Sequence, residues 1–263
     1  MSNKKTSGGF SFVISALAIA ICMGIGWFVY LTILGNPSNF DAEGHPKAGN
    51  ILGTMYKGGI IVPFLLGVFL TVITFAIERF MTINKAAGKG AADKFVAKIK
   101  TLVANHQLDE ALAECDKQKG SLANVVHEGI SKYKFVENDA HMDKEAKVHA
   151  IQKSLEEATA LELPMLSKNM VVISTCASIG TLMGLIGTVV GMIRAFAALA
   201  QGGAPDTQAL ATGISEALVN TLVGIASSAL AIIFYNLFSN RVDQLTYAMD
   251  EAGYSIVQDF QSK

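Results

Sequence analysis

The chain holds 263 residues, 51% of them hydrophobic and only 16% charged. That charge content is too low for an ordinary soluble domain, and the apolar residues come in long blocks. A formal net charge of −1 offers no basic face, which excludes nucleic acid as a partner, and three scattered cysteines exclude a disulfide framework.

Taken in order, the blocks predict an all-α polytopic membrane protein with four transmembrane helices and a helical cytoplasmic domain. Residues 1–34 are a short tail and a first span. The span's FSFVISALAIAICMGIGWFVYLTIL carries no charge and lacks a small-residue cleavage site, so it is retained rather than cleaved as a signal peptide. Residues 35–58, with Gly35, Pro37, Gly44, Pro46 and Gly49, are a turn-rich loop. Residues 59–83 are the second span, closed by Glu78-Arg79, where Arg79 serves as an interfacial anchor. Residues 84–168 form the cytoplasmic domain, 169–200 the third span, 201–212 a short turn, 213–238 the fourth span and 239–263 a tail. Lysine and arginine set the orientation. The turn QGGAPDTQALAT has neither, whereas 85–168 carries 13 Lys balanced by 13 acids. Both termini and the helical domain then lie in the cytoplasm, with 35–58 and 201–212 on the opposite side.

Within 84–168, Phe95, Ile99, Leu102 and Val103 form one apolar helical stripe, which Asn105-His106 ends. Leu108–Cys115 starts a second helix that Gly120-Ser121 closes, and Leu122–Ile130 is a third. From about His141 a polar helix is expected to run without a break into the third span, kinked only at Pro164. His106, His127, His141 and His149 have no carboxylate or cysteine at ligand spacing. No GKS or GKT follows the glycine-rich stretches, so no phosphate loop is present. Neither a catalytic constellation, a metal site nor a cofactor is expected, and the chain is read as a non-enzyme.

The third and fourth spans hold the chemistry. Gly180, Gly184, Gly187 and Gly191 share one helix face as small-xxx-small repeats, a pattern that lets helices approach closely in lipid. Ser174, Thr181 and Thr188 are spaced by seven residues, as are Thr221 and Ser228, and Asn220 and Ser227. Two such stripes on adjacent helices make either an ion-conducting polar seam or interhelical hydrogen-bonded glue. Glu216 costs roughly 2.5–3.5 kcal/mol to place in a membrane helix, so it is a structural or gating charge or a proton carrier. Arg194 is its candidate partner. At 1.5 Å per residue, Arg194 lies about 9 Å outward of Thr188 and Glu216 about 7.5 Å outward of Thr221. If the two threonines are level, so are the two charges.

At these residues the chain resembles the ExbB/TolQ family, relatives of MotA. GLIGTVVGMIRAF at 184–196 is similar to the family's GLxGTVxGMxxxF block. GISEALVNTLVGIASSALAIIFYNLF at 213–238 is similar to its GIxEALxxTxxGLxxAIPAxxxYNxF block, and IERF at 77–80 to the end of its first core helix. The chain departs from the pattern at Gly180-Thr181, where the family usually has Ala-Pro, and at Ser228-Ala229-Leu230, which lacks the common proline. Asn220 stands where a small residue is usual, and the first span exceeds the three-span plan.

The resemblance implies a channel or stator subunit of a motor driven by the proton-motive force in the bacterial inner membrane. Thr188 and Thr221, with Thr181, Ser228 and Asn220, would line the ion pathway, with Glu216 as the acid near them. Several copies, expected to be five, would surround a single-span ExbD-type partner whose membrane Asp carries the proton, and a TonB-type protein would receive the work. The alternatives are a TolQ-like motor subunit for envelope maintenance and a small secondary transporter.

Overall fold

The computed structural model describes residues 7–200 and 207–262. Helix α1 spans Ser7–Val29 and continues as a π-helical turn at Tyr30–Leu34. It is followed by α2 (Ile51–Tyr56), α3 (Ile61–Ala87), α4 (Ala92–Ala104), α5 (Leu108–Gln118) and α6 (Gly120–Glu137). Then come α7 (Lys144–Ser167), α8 (Met170–Ala200) and α9 (Thr207–Ser262). Among the described residues there is no β-strand, only an isolated bridge between Phe40 and Pro46. Among the described residues four helices are long and apolar enough to cross a membrane, so the fold is all-α and polytopic. Half of the expected turn at 201–212, residues 201–206, lies outside the described residues, as do Lys4, Lys5 and Lys263. The chain divides into two compact units: residues up to Ile77 with Val171–Tyr235, and Glu78–Met170 with the residues from Asn236 onward.

In the first unit, Val62 and Leu65 of α3 pack with Val219 and Val223 of α9, flanked by Tyr30, Met55, Met183 and Val190. Helix α8 meets α9 along its glycine face. A Cβ on Gly184 would sit 3.2 Å from the Asn220 carbonyl oxygen, and one on Gly191 2.8 Å from the Ala217 nitrogen. Gly180 and Gly187 are buried in the same contact. The stripe is therefore used within the chain, where missing side chains let two backbones touch. Helix α1 packs on α3 in the same manner: a Cβ on Gly26 would lie 2.7 Å from the Gly67 nitrogen and the Pro63 carbonyl. Trp27 meets the Phe64 ring edge-on at 5.6 Å. The other face of α1 shows Leu17, Ile21 and Phe28 to the surroundings.

The loop at 35–58 is ordered by side-chain caps. Buried Asn39 donates to the Ile33 and Leu34 carbonyls that the end of the π-helical turn leaves free. Asn50 caps α2 by accepting from the Gly53 nitrogen at 3.0 Å. Tyr30 stacks on Tyr56 with ring centroids 4.7 Å apart.

The second unit surrounds α6, whose Leu122, Val126, Ile130 and Tyr133 are fully buried. Helix α6 runs past Ile130 to Glu137. One sequence expectation is corrected here. The helix from His141 does not run unbroken into the third span: it starts at Lys144, with Asp143 as N-cap, and ends at Ser167. The break falls at Lys168-Asn169, where Asn169 adopts φ +62°, while Pro164 sits inside α7 without ending it. Asparagine is one of the few non-glycine residues that adopts the left-handed conformation readily, so a single residue interrupts the helix. The segment expected as a tail is also helical to Ser262, and its Leu245, Met249, Ile256 and Phe260 are buried in this unit.

Candidate functional site: a polar ladder between two helices

Helices α8 and α9 are joined by three polar rungs. Thr181 donates to the Ser228 hydroxyl at 2.8 Å, and Ser228 donates on to the Ala177 carbonyl at 2.6 Å. Seven residues further along each helix, the Thr188 and Thr221 hydroxyls bond to one another. Each also lies within reach of a carbonyl of its own helix, Gly184 at 3.2 Å and Ala217 at 3.1 Å. The third rung is the ion pair between Arg194 and Glu216. Antiparallel helices with matched heptad spacing bring such pairs level, and the glycine face beside them keeps the backbones close enough for short side chains to meet.

Burial divides the rungs. Thr188 and Thr221 are half-buried, so their hydroxyls lie at the edge of the helix pair, and Thr181 is exposed. The Glu216 side chain is only 8% exposed, whereas that of Arg194 is 54% exposed. The arginine thus reaches inward with its head to a carboxylate held inside the unit. A buried carboxylate is tolerated because the guanidinium compensates its charge. Asn220, one helical turn from Glu216, is fully buried and donates to the Gly58 carbonyl at 2.9 Å. It lies against Gly187, and its side-chain oxygen has no hydrogen-bond partner. Hydroxyls donate and accept, so the two hydroxyl rungs can solvate either protonation state of an acid brought beside them. Ser174, the remaining member of the α8 heptad, is exposed.

A different arginine was misjudged from sequence. Arg79 is 1% exposed, not an interfacial anchor, and its guanidinium has two tasks. Its Nε and Nη2 hold Glu78 at 2.7 and 2.5 Å, and its Nη1 donates to the Met165 and Leu166 carbonyls at 3.3 Å. Those carbonyls belong to the last turn of α7, which has no intrahelical donors to offer them. Asn169 at the break adds a bond to Glu78 at 3.3 Å. The only sequence signal was an Arg next to a Glu at a helix end, which is equally the pattern of a solvated pair. Among the described residues, no group of His, Cys, Asp and Glu side chains is placed to hold a metal ion.

This is the architecture of a polytopic helical membrane protein: apolar spans, two of them joined by a ladder of hydroxyls and a compensated charge. The model of the MotA/TolQ/ExbB proton channel family matches residues 117–251, about half of the chain, and the chain belongs to that family. It is 36% identical over 87 residues to an ExbB-like biopolymer transport protein of Synechocystis sp., covering 32% of this chain and 41% of that protein. It is 26% identical over 189 residues to the biopolymer transport protein ExbB of Pseudomonas putida, covering 72% of this chain and 56% of that one. With the Tol-Pal system protein TolQ of Pseudomonas aeruginosa it shares 24% identity over 183 residues, 68% of this chain and 79% of that one. The chain spans about half the length of the first two relatives.

Proposed function

We propose that this chain is the channel-forming subunit of an inner-membrane motor that converts the proton-motive force into work on a periplasmic partner. Several copies, five by family resemblance, surround single-span ExbD-type helices, and a TonB-type protein receives the motion. Both termini are cytoplasmic, and the chain itself catalyses no covalent chemistry. The observation that carries this reading is the half-buried Thr188–Thr221 pair, a hydroxyl rung at the edge of two membrane helices. A partner's membrane carboxylate docked there finds hydrogen-bond groups that serve it both charged and neutral. Each proton crossing contributes about 2.3 kcal/mol per 100 mV, enough to drive a stepwise motion of the inner helices.

The test is Thr188→Val and Thr221→Val. Valine keeps the shape and removes both donor and acceptor. Each variant is expected to assemble to the wild-type size and to abolish partner-dependent, proton-coupled work in cells. Full activity in both would remove the lumen from these threonines. A TolQ-like role in envelope maintenance is the second reading, favoured by the similarity to the Pseudomonas aeruginosa TolQ, 79% of which the alignment covers.

A further inference from the structure

Helix α3 is preceded by a glycine pair, Gly58-Gly59, and this turn lies directly on the buried acid. Gly59 has φ +76°, and a Cβ added there would run into the Glu216 Oε1 atom and come within 3.5 Å of the Arg194 Nη1. Gly58 offers its carbonyl to Asn220, one helical turn from Glu216 on α9. The turn is itself tied down. The Gly58 nitrogen donates to Met55 at 3.1 Å, the Gly59 nitrogen donates to Tyr56 at 3.2 Å, and the Tyr30 hydroxyl donates to the same Tyr56 carbonyl at 3.1 Å. The first span and its loop thus hold a bare backbone against the carboxylate, on residues that precede the family match at 117–251.

We infer that Gly59 is a positioning residue for Glu216: the turn fixes how far the carboxylate extends and presses it onto Arg194. Two features make this more than a loop that needs a left-handed residue. The Cβ position is filled by the acid itself, and Asn220 anchors the turn to the helix that carries the acid. With backbone on one side and a guanidinium on the other, the carboxylate has one compensating charge and little room to leave it. Any role of this positioning in proton coupling rests on the motor reading above. The positioning does not.

The experiment separates backbone strain from the contact. Gly49 has φ +75°, and a Cβ there meets nothing within 4 Å. Gly49→Ala therefore reports the cost of the conformation alone. Gly59→Ala is expected to lower the Tm of the detergent-solubilised protein by at least about 5 °C more than Gly49→Ala does, taking a few degrees per kcal/mol for a chain of this size. Glu216→Asp shortens the acid by one methylene and makes room for the new methyl group. In the Gly59→Ala background it should restore most of that excess loss, although alone it is destabilising. Equal losses for the two alanine variants, or a Glu216→Asp effect that simply adds to Gly59→Ala, would overturn the inference. If Gly59→Ala does not accumulate, recovery of the double variant in the membrane supports the inference, and its failure alongside normal Gly49→Ala overturns it. Full proton-coupled activity of the threonine-to-valine variants would remove the motor reading and leave this cycle standing.

Discussion

Arg79 donates to the carbonyl oxygen of Leu166 at 3.3 Å, across 87 positions of sequence. It thereby closes the C-terminal end of α7 just before the break at Asn169, and it does so from a fully buried position.

Replacing this arginine should be costly in a graded way. Arg79→Met leaves two helix-end carbonyls without donors, while Glu78, whose side chain is 40% exposed, can turn to water, so the loss expected is that of unsatisfied buried acceptors, about 1–3 kcal/mol. Arg79→Lys keeps the charge but has no planar fork to reach the acid and the carbonyls together, so about half of that loss is expected. Thermal unfolding of the solubilised chain checks the order wild type, Lys, Met. Equal stability of all three would mean that the carbonyls find other donors.

The four spans were legible because twenty-residue apolar blocks leave few alternatives. The ladder between α8 and α9 was legible for a narrower reason: a spacing of seven residues returns nearly to the same helix face, so Thr181 and Thr188, and Thr221 and Ser228, had to align. The level of Arg194 and Glu216 followed from counting 1.5 Å per residue from the threonines. What sequence did not show was long-range capping. Nothing local says that Arg79 serves carbonyls at 165 and 166. The break at Asn169 was hidden by the more conspicuous Pro164, because one left-handed asparagine carries no pattern. Gly59 escaped notice because its function lies in the space it leaves for Glu216.

The last third of α9 was readable and was missed. Val242, Leu245, Met249, Ala252 and Ile256 recur at three and four residues, the period of one buried helix face. Ile256→Ala should therefore cost about 2–5 kcal/mol, as truncation of a large buried aliphatic side chain does. Gln258→Ala, on the exposed face, should stay within about 0.5 kcal/mol of wild type. Chemical denaturation of both variants distinguishes a core helix from a loose tail, for which the two would be alike.

Cys115 gives a pH-dependent prediction for the same unit. Burial, with Asp116 and Glu114 nearby, pushes its thiol from 9.0 up to about 12. The folded chain then holds the thiol neutral between pH 9 and 12, while the unfolded chain releases the proton. The unfolded state binds fewer protons in that window, so the contribution of Cys115 to stability falls as pH rises from 9 towards 12 and is unaffected below about 8. The measurable quantity is the stability difference between wild type and Cys115→Ala, which removes other titrating groups from the comparison. It should be flat up to pH 8 and shrink above pH 9. A difference that grows with pH would show that the thiol ionises inside the fold. The native thiol should also resist alkylation at pH 8, because the thiolate is the nucleophile.

The Arg194–Glu216 pair predicts a non-additive cycle. Glu216 is buried and Arg194 is not, so the two single changes differ in kind. Arg194→Met strands a carboxylate inside the first unit with no compensating charge, and a loss of about 3–5 kcal/mol is expected, since this is the cost of breaking a buried pair from one side. Glu216→Gln leaves a half-exposed guanidinium that water can solvate, so its loss should be smaller. Once Glu216 is an amide, the further change of Arg194 to Met removes little. The double variant should therefore be much milder than the sum of the singles, with a coupling on the order of 1–3 kcal/mol, the range found for residues in one contact. Stability measured for the four proteins at one pH and ionic strength yields that coupling directly. Strict additivity would mean that the two charges are solvated independently, and the third rung of the ladder would then have no energetic basis.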